Sequence, residues 1–175
     1  MAKTKEAYKP YAIACTETVP GDVLDILIKL AEDLEASGFI LRTGGNEVDT
    51  EIIEAVQDQE KVELFLPWEE FNDWDHPVKP MVGAYEMAWK YHPTWAELHE
   101  DDRRIHARTS HVITGHDLDQ PVKFLICFTD KDAVDADDVD QNIRIADTNL
   151  LPVFDFALGI DYTLNQIQEW MDKHD

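Results

Sequence analysis

The chain is short of positive charge. Fifteen lysines and arginines stand against 37 aspartates and glutamates, a formal net charge of −22 over 175 residues. Such a field repels phosphate backbones and anionic lipid headgroups, so neither direct nucleic-acid binding nor membrane binding is expected. Long apolar runs are missing too: nothing approaches the roughly 18 consecutive apolar residues of a membrane span. The opening "MAKTKEAYKPYAIAC" holds no apolar segment long enough for a signal peptide before charge returns at Glu17, and a cytoplasmic location is expected. Cysteine is nearly absent. Cys15 and Cys127 both sit in apolar, strand-like runs and read as buried, reduced thiols. What is present is apolar content of 44 %, enough for one sizeable core and a single domain over residues 1–175. The acidity has three readings: solubility, a high-salt setting, or an acidic surface that engages a basic protein, as a DNA mimic would.

Apolar segments alternate with amphipathic ones. Ile13–Cys15 reads as a strand; Gly21-Asp22 opens a helix with Val23, Leu27, Leu30, Ala31 and Leu34 on one face, and Gly38 ends it. The apolar face of that first helix also includes Ile26. Phe39–Leu41 is a second strand, Val48–Val56 a second helix, and "KVELFLPW" a third strand stopped by Pro67. Residues 69–116 break the rhythm and read as an insertion: a proline-bearing loop, a short helix broken before Pro93, and a helix ending at Gly115. "PVKFLICF" is a central buried strand. The acidic "TDKDAVDADDVD" reads as a loop, "QNIRIADTNL" as a helix, "LPVFDF" as a fifth strand and "TLNQIQEWMDKH" as a terminal helix. This pattern predicts an α/β fold, a doubly wound parallel sheet of about five strands in order 3-2-1-4-5 with helices on both faces. That order places Cys15 and Cys127 on neighbouring strands.

Ligands of such sheets bind beyond the carboxyl ends of the strands. Here those ends are Thr16-Glu17-Thr18, Arg42-Thr43-Gly44-Gly45, Pro67-Trp68 and Thr129-Asp130. Gly44-Gly45 between a strand and a helix offers bare amides to a phosphate, or makes a tight turn only. Arg42 either pairs with that phosphate or with a nearby carboxylate. Arg103, Arg104 and Arg108 form the one basic cluster, suited to a ligand phosphate or to holding the insertion on the acidic body. Asp130, Asp132, Asp135, Asp137, Asp138 and Asp140 repel an anion. They cap the following helix, hold Mg²⁺ or Ca²⁺, or form a protein-binding patch. The histidines lack zinc spacing: His106 and His111 are five apart, off one helix face, and no zinc site is expected from them. Ser110-His111 point apart on a helix, so no nucleophile–base pair is assigned. Trp68, Trp74, Trp89 and Trp95 are expected to pack the insertion over the strand ends as a lid or as a contact between copies of the chain.

The ordered set "RTGG", "LFLPW", "YHPTWAEL", "IHARTSHVITG", "PVKFLICFT" and "QNIRIADTNLLPVFD", over about residues 8–156, resembles a phage-encoded branch of the superfamily that joins DNA-processing protein A to the LONELY GUY proteins (SLOG). The resemblance implies a Rossmann-like fold, a nucleotide or nucleotide-derived (ADP-ribose-like) ligand, and the cytoplasm of a phage host. It places Glu54 where that branch carries a helix glutamate. The chain departs from the pattern at Val48 and Thr50, where the relatives have a glycine and an acidic residue, and at Ala136–Asp140, where they have a glycine- and threonine-rich run. The proline-glycine-glycine motif of the catalytic branch is absent. If there is turnover, the resemblance implies hydrolysis of a base–ribose bond, for which Glu17 or Glu54 offers a carboxylate. The candidate ligand-binding residues are Thr16, Glu17, Arg42, Thr43, Gly44, Gly45, Glu54 and Arg108; no cofactor is named. The competing reading is an acidic interaction protein whose partner is a basic protein and whose pocket is lost.

Overall fold

The computed structural model describes residues 7–75 and 79–174. Its five strands, β1 (Pro10–Cys15), β2 (Ile40–Thr43), β3 (Val62–Leu64), β4 (Leu125–Phe128) and β5 (Val153–Asp155), form one parallel sheet in order β3-β2-β1-β4-β5. Six helices accompany them among the described residues: α1 (Gly21–Ala36), α2 (Thr50–Ala55), α3 (Val82–Tyr91), α4 (Glu100–Thr114), α5 (Ala136–Thr148) and α6 (Ile160–His174). The doubly wound α/β architecture expected from the alternation is the one found. No described helix is long and apolar enough to cross a membrane.

The sheet divides the core. Tyr11, Ile13, Cys15, Phe39, Leu41, Phe124 and Ile126 pack with Leu27, Leu34, Ile52 and Ile167, so α1, α2 and α6 share one face. Ala12, Leu125 and Cys127 pack with Val112, Ile113, Val139 and Ile145, so α4 and α5 share the other. Cys15 pairs with Phe128 and Cys127 with Ala14, and both thiols are buried and free. The helix α1 is amphipathic as read: Val23, Leu27, Ala31 and Leu34 are its buried residues, and Gly38 (φ 85°) turns the chain into β2.

Three segments differ from the sequence reading. The strand β3 ends at Leu64, although Phe65, Leu66 and Pro67 stay buried beyond it. The acidic loop is shorter than expected because α5 already starts at Ala136; Asp137 and Asp138 occupy its first turn, where the helix dipole favours negative charge. The helix α4, read as part of the insertion, is the crossover from β3 to β4. Its residues 106–114 are all buried despite six polar side chains among them. Ser110 donates to Ala84 O, Thr114 to Ser110 O and Arg108 to Gly44 O, so these three side chains are bonded where they are buried. Ahead of α4, the small residues Ala84 and Ala88 are the buried positions of α3.

Candidate functional site

At the carboxyl edge, β1 and β4 lead to opposite faces of the sheet, and the loops that follow them are tied together. Thr18 Oγ1 donates to Asp130 Oδ2 at 2.7 Å, and the Glu17 amide donates to Asp135 Oδ2 at 2.9 Å. Beside this tie lies an open cleft of about 670 Å³. Glu17, Glu47, Asp135 and Asp138 supply four carboxylates to its lining, while Val19, Leu24 and Val48 supply the apolar side. The volume is that of a typical small-molecule site. A second, more enclosed chamber of about 20 Å³ adjoins it, with Asn46, Asp135 and Asp138 lining both spaces.

The glycine loop forms one wall of the chamber. Arg108 Nη1 donates to Gly44 O at 2.6 Å, and a Cβ on Gly44 would fall 2.5 Å from that nitrogen. A side chain at position 44 would therefore have to displace the guanidinium lying across it. Gly45 (φ 70°) turns its carbonyl toward Asn72 Nδ2 and Trp74 Nε1, at 3.2 and 2.9 Å. The amide that follows, Asn46 N, donates to Asp49 Oδ2 at 3.0 Å. Asp49 is buried beside Arg108, and burial pushes its carboxyl up to about 6 against the pull of Arg108, the Asn46 amide and the Thr43 hydroxyl. Burial likewise lowers Arg108 and raises Asp138, each opposed by the charge of the other. A carboxylate of the chain itself thus takes an amide of the kind that holds phosphate in other glycine loops, within the field of the Arg108 guanidinium.

The candidate residues separate into three groups. Glu17 lines the cleft, and Gly44 and Arg108 line the chamber. Thr16, Thr43 and Gly45 stand behind them: Thr16 Oγ1 lies 3.0 Å from Thr18 Oγ1, and the Gly45 amide reaches Thr43 Oγ1 at 3.4 Å. Arg42 and Glu54 lie elsewhere. All three guanidinium nitrogens of Arg42 are engaged, by Glu63, Gln120 O and Tyr8, and Glu54 is exposed on α2. Asn46, Asp49, Asp135, Asp138 and Asn142 complete the site without having been singled out as ligand residues. Asn46 and Asp49 form a reciprocal cap, a spacing visible in the sequence as an asparagine three residues before an aspartate. The tryptophans divide: Trp74 closes on Gly45 and Trp68 packs edge-on against Phe71, whereas Trp89 is 64 % exposed.

The acidic segment does not converge on one point. Asp130 and Asp135 tie the β1 loop and Asp138 faces Arg108. Asp137 accepts from His92 Nε2 at 2.7 Å, from His106 Nε2 at 3.1 Å and from Arg144 Nη2 at 2.9 Å. His92, His106 and Asp137 are the set of potential metal ligands that comes together among the described residues. Its protons argue for a hydrogen-bonded tie. The Thr94 amide donates to His92 Nδ1 at 3.1 Å, which puts the ring proton on Nε2, facing Asp137. Neither ring has the acceptor at Nδ1 that normally orients a metal-bound imidazole, since His106 Nδ1 is buried without a partner among the described residues. His76 lies outside the described residues. Compared with known proteins, the chain matches no family model, no curated protein and no solved structure.

Proposed function

We propose that the protein binds a nucleotide or nucleotide-derived, ADP-ribose-like ligand in the cleft at the β1–β4 edge. The observation that carries this reading is the cleft itself: about 670 Å³ at the point where the winding of the sheet reverses, lined by carboxylates and one apolar side. Carboxylates at this edge suit ribose hydroxyls and base amino groups, which donate hydrogen bonds. They do not suit a bare phosphate. Two like charges about 4 Å apart cost on the order of 4 kcal/mol at an effective dielectric near 20. A phosphate-bearing ligand here brings a divalent cation, or holds its phosphates away from Glu17 and Asp138. Glu17, in the lining of the cleft, is the carboxylate we assign to the reaction if the base–ribose bond is cleaved.

The test is calorimetric titration of the chain with ADP-ribose and with adenosine, with and without millimolar Mg²⁺. ADP-ribose binding is expected to strengthen with Mg²⁺ and, without it, in Asp138→Asn, while adenosine responds to neither the metal nor phosphate repulsion. Failure of both ligands under every condition overturns the reading. A second reading has its own support: Asp49 already occupies the Asn46 amide of the glycine loop, and Arg108 is bonded to the loop's Gly44 carbonyl. On that reading the chain is an acidic interaction protein, and the positive result is salt-sensitive capture of a basic protein with no small-molecule binding.

A further inference from the structure

We propose that the chamber beside the cleft reads one amino group of the bound ligand, and so separates nucleosides bearing an exocyclic amino group from counterparts bearing a carbonyl oxygen in its place. The inference rests on the nucleotide-type binding proposed above. At about 20 Å³ the chamber holds one group the size of a water or an NH₂. Two of the residues that line it carry an unpartnered acceptor: Asp135 Oδ1 and Asn142 Oδ1 are both buried and make no hydrogen bond among the described residues. Asn142 is only 7 % exposed.

The orientation of both groups is fixed from behind. Asn142 Nδ2 donates to Asp138 O at 2.9 Å, which assigns the amide nitrogen to the helix and leaves the oxygen over. Asp135 Oδ2 accepts from the Glu17 amide, which leaves Oδ1 over. Two unpaired acceptors call for an occupant with two donors. An amino group has two; a carbonyl oxygen has none and would set three acceptors against one another. A buried polar group left unpaired weakens binding far more than the paired group strengthens it, so such a pocket discriminates by rejection. A bare metal ion is disfavoured by the Arg108 guanidinium in the same wall.

The test uses the full chain and two matched pairs, adenosine against inosine and cytidine against uridine, titrated calorimetrically at neutral pH. The amino member of at least one pair is expected to bind about 10- to 100-fold tighter than its oxo counterpart. In Asn142→Leu, which removes one acceptor at similar volume, that ratio should fall below about 5-fold; in Asn142→Asp, which keeps an acceptor, the preference should persist. Should both variants fail to fold, the wild-type ratio decides. Equal binding of both members, or tighter binding of the oxo member, means the chamber holds only a buried water, and overturns this inference while leaving nucleotide binding in place. Failure of all four nucleosides, with ADP-ribose failing as well, removes the underlying reading and this one together.

Discussion

Asp49 is 3 % exposed, faces Arg108 and accepts the amide of Asn46, yet its carboxyl is held up at about 6 because burial outweighs both partners. The unfolded chain releases the same proton near 3.9. Between those two values the folded chain holds more protons than the unfolded one, so stability contributed at this residue falls as pH rises through the window. A gap of roughly two pKa units corresponds to at most about 3 kcal/mol. Asp49→Asn keeps an oxygen for the Asn46 amide and has no proton to lose. Urea unfolding at pH 4 and at pH 7 should therefore show the variant gaining on the wild type by up to that amount between the two conditions. A gap that does not move with pH would mean that Arg108 keeps the carboxylate ionised throughout. Gly44 teaches a related point. A glycine pair after a strand was legible as a tight turn or a phosphate cradle, but not that a side chain sixty-four positions on lies across it, because nothing local to the loop encodes Arg108.

Among the elements, α3, α4 and α5 meet at Asp137, and the junction has a pH signature of the opposite sign. The carboxyl of Asp137 is held well below the usual carboxylate range, chiefly by its hydrogen bond with His106 and then by those with His92 and Arg144. Its contribution is present above the ordinary carboxylate pKa and is lost as pH falls toward the depressed one. Asp137→Asn should thus be less stable than the wild type near neutrality, with the difference shrinking as the solution is acidified below about pH 4. The side chain is 47 % exposed, so the difference is modest, and hydrogen exchange at the start of α5 and the end of α3 is the sharper readout. The strand order could be read from the sequence because short apolar runs alternate with amphipathic segments, and even the long connection from β3 to β4 ends in a crossover helix. The start of α5 could not, since Asp135, Asp137 and Asp138 look like a solvated loop until the helix dipole and the groups facing them are known. The helix α4 was concealed by its own composition. A segment with two histidines, an arginine, two threonines and a serine reads as partly exposed, and only packing between the sheet, α3 and α5 makes all of it interior.

For the molecule as a whole, the charge of −22 is a statement about encounters rather than about the fold. Among the described residues, Arg42 and Arg108 are buried, so two of the chain's five arginines are withdrawn from the surface. Gel-shift assays at low salt should find no binding of single- or double-stranded DNA by the chain alone; a tight complex would overturn this expectation. The placement of the two cysteines has a practical consequence. They sit on adjacent strands one register step apart, so Cys15 points into the core of one sheet face and Cys127 into the core of the other. Burial pushes both thiols up, so neither forms a thiolate while the sheet is intact. The sheet itself stands between the two sulfurs, which are insulated from oxidants and from each other. A maleimide added to the native protein would find no thiol to alkylate, and up to two labels would mark each molecule that had opened its centre.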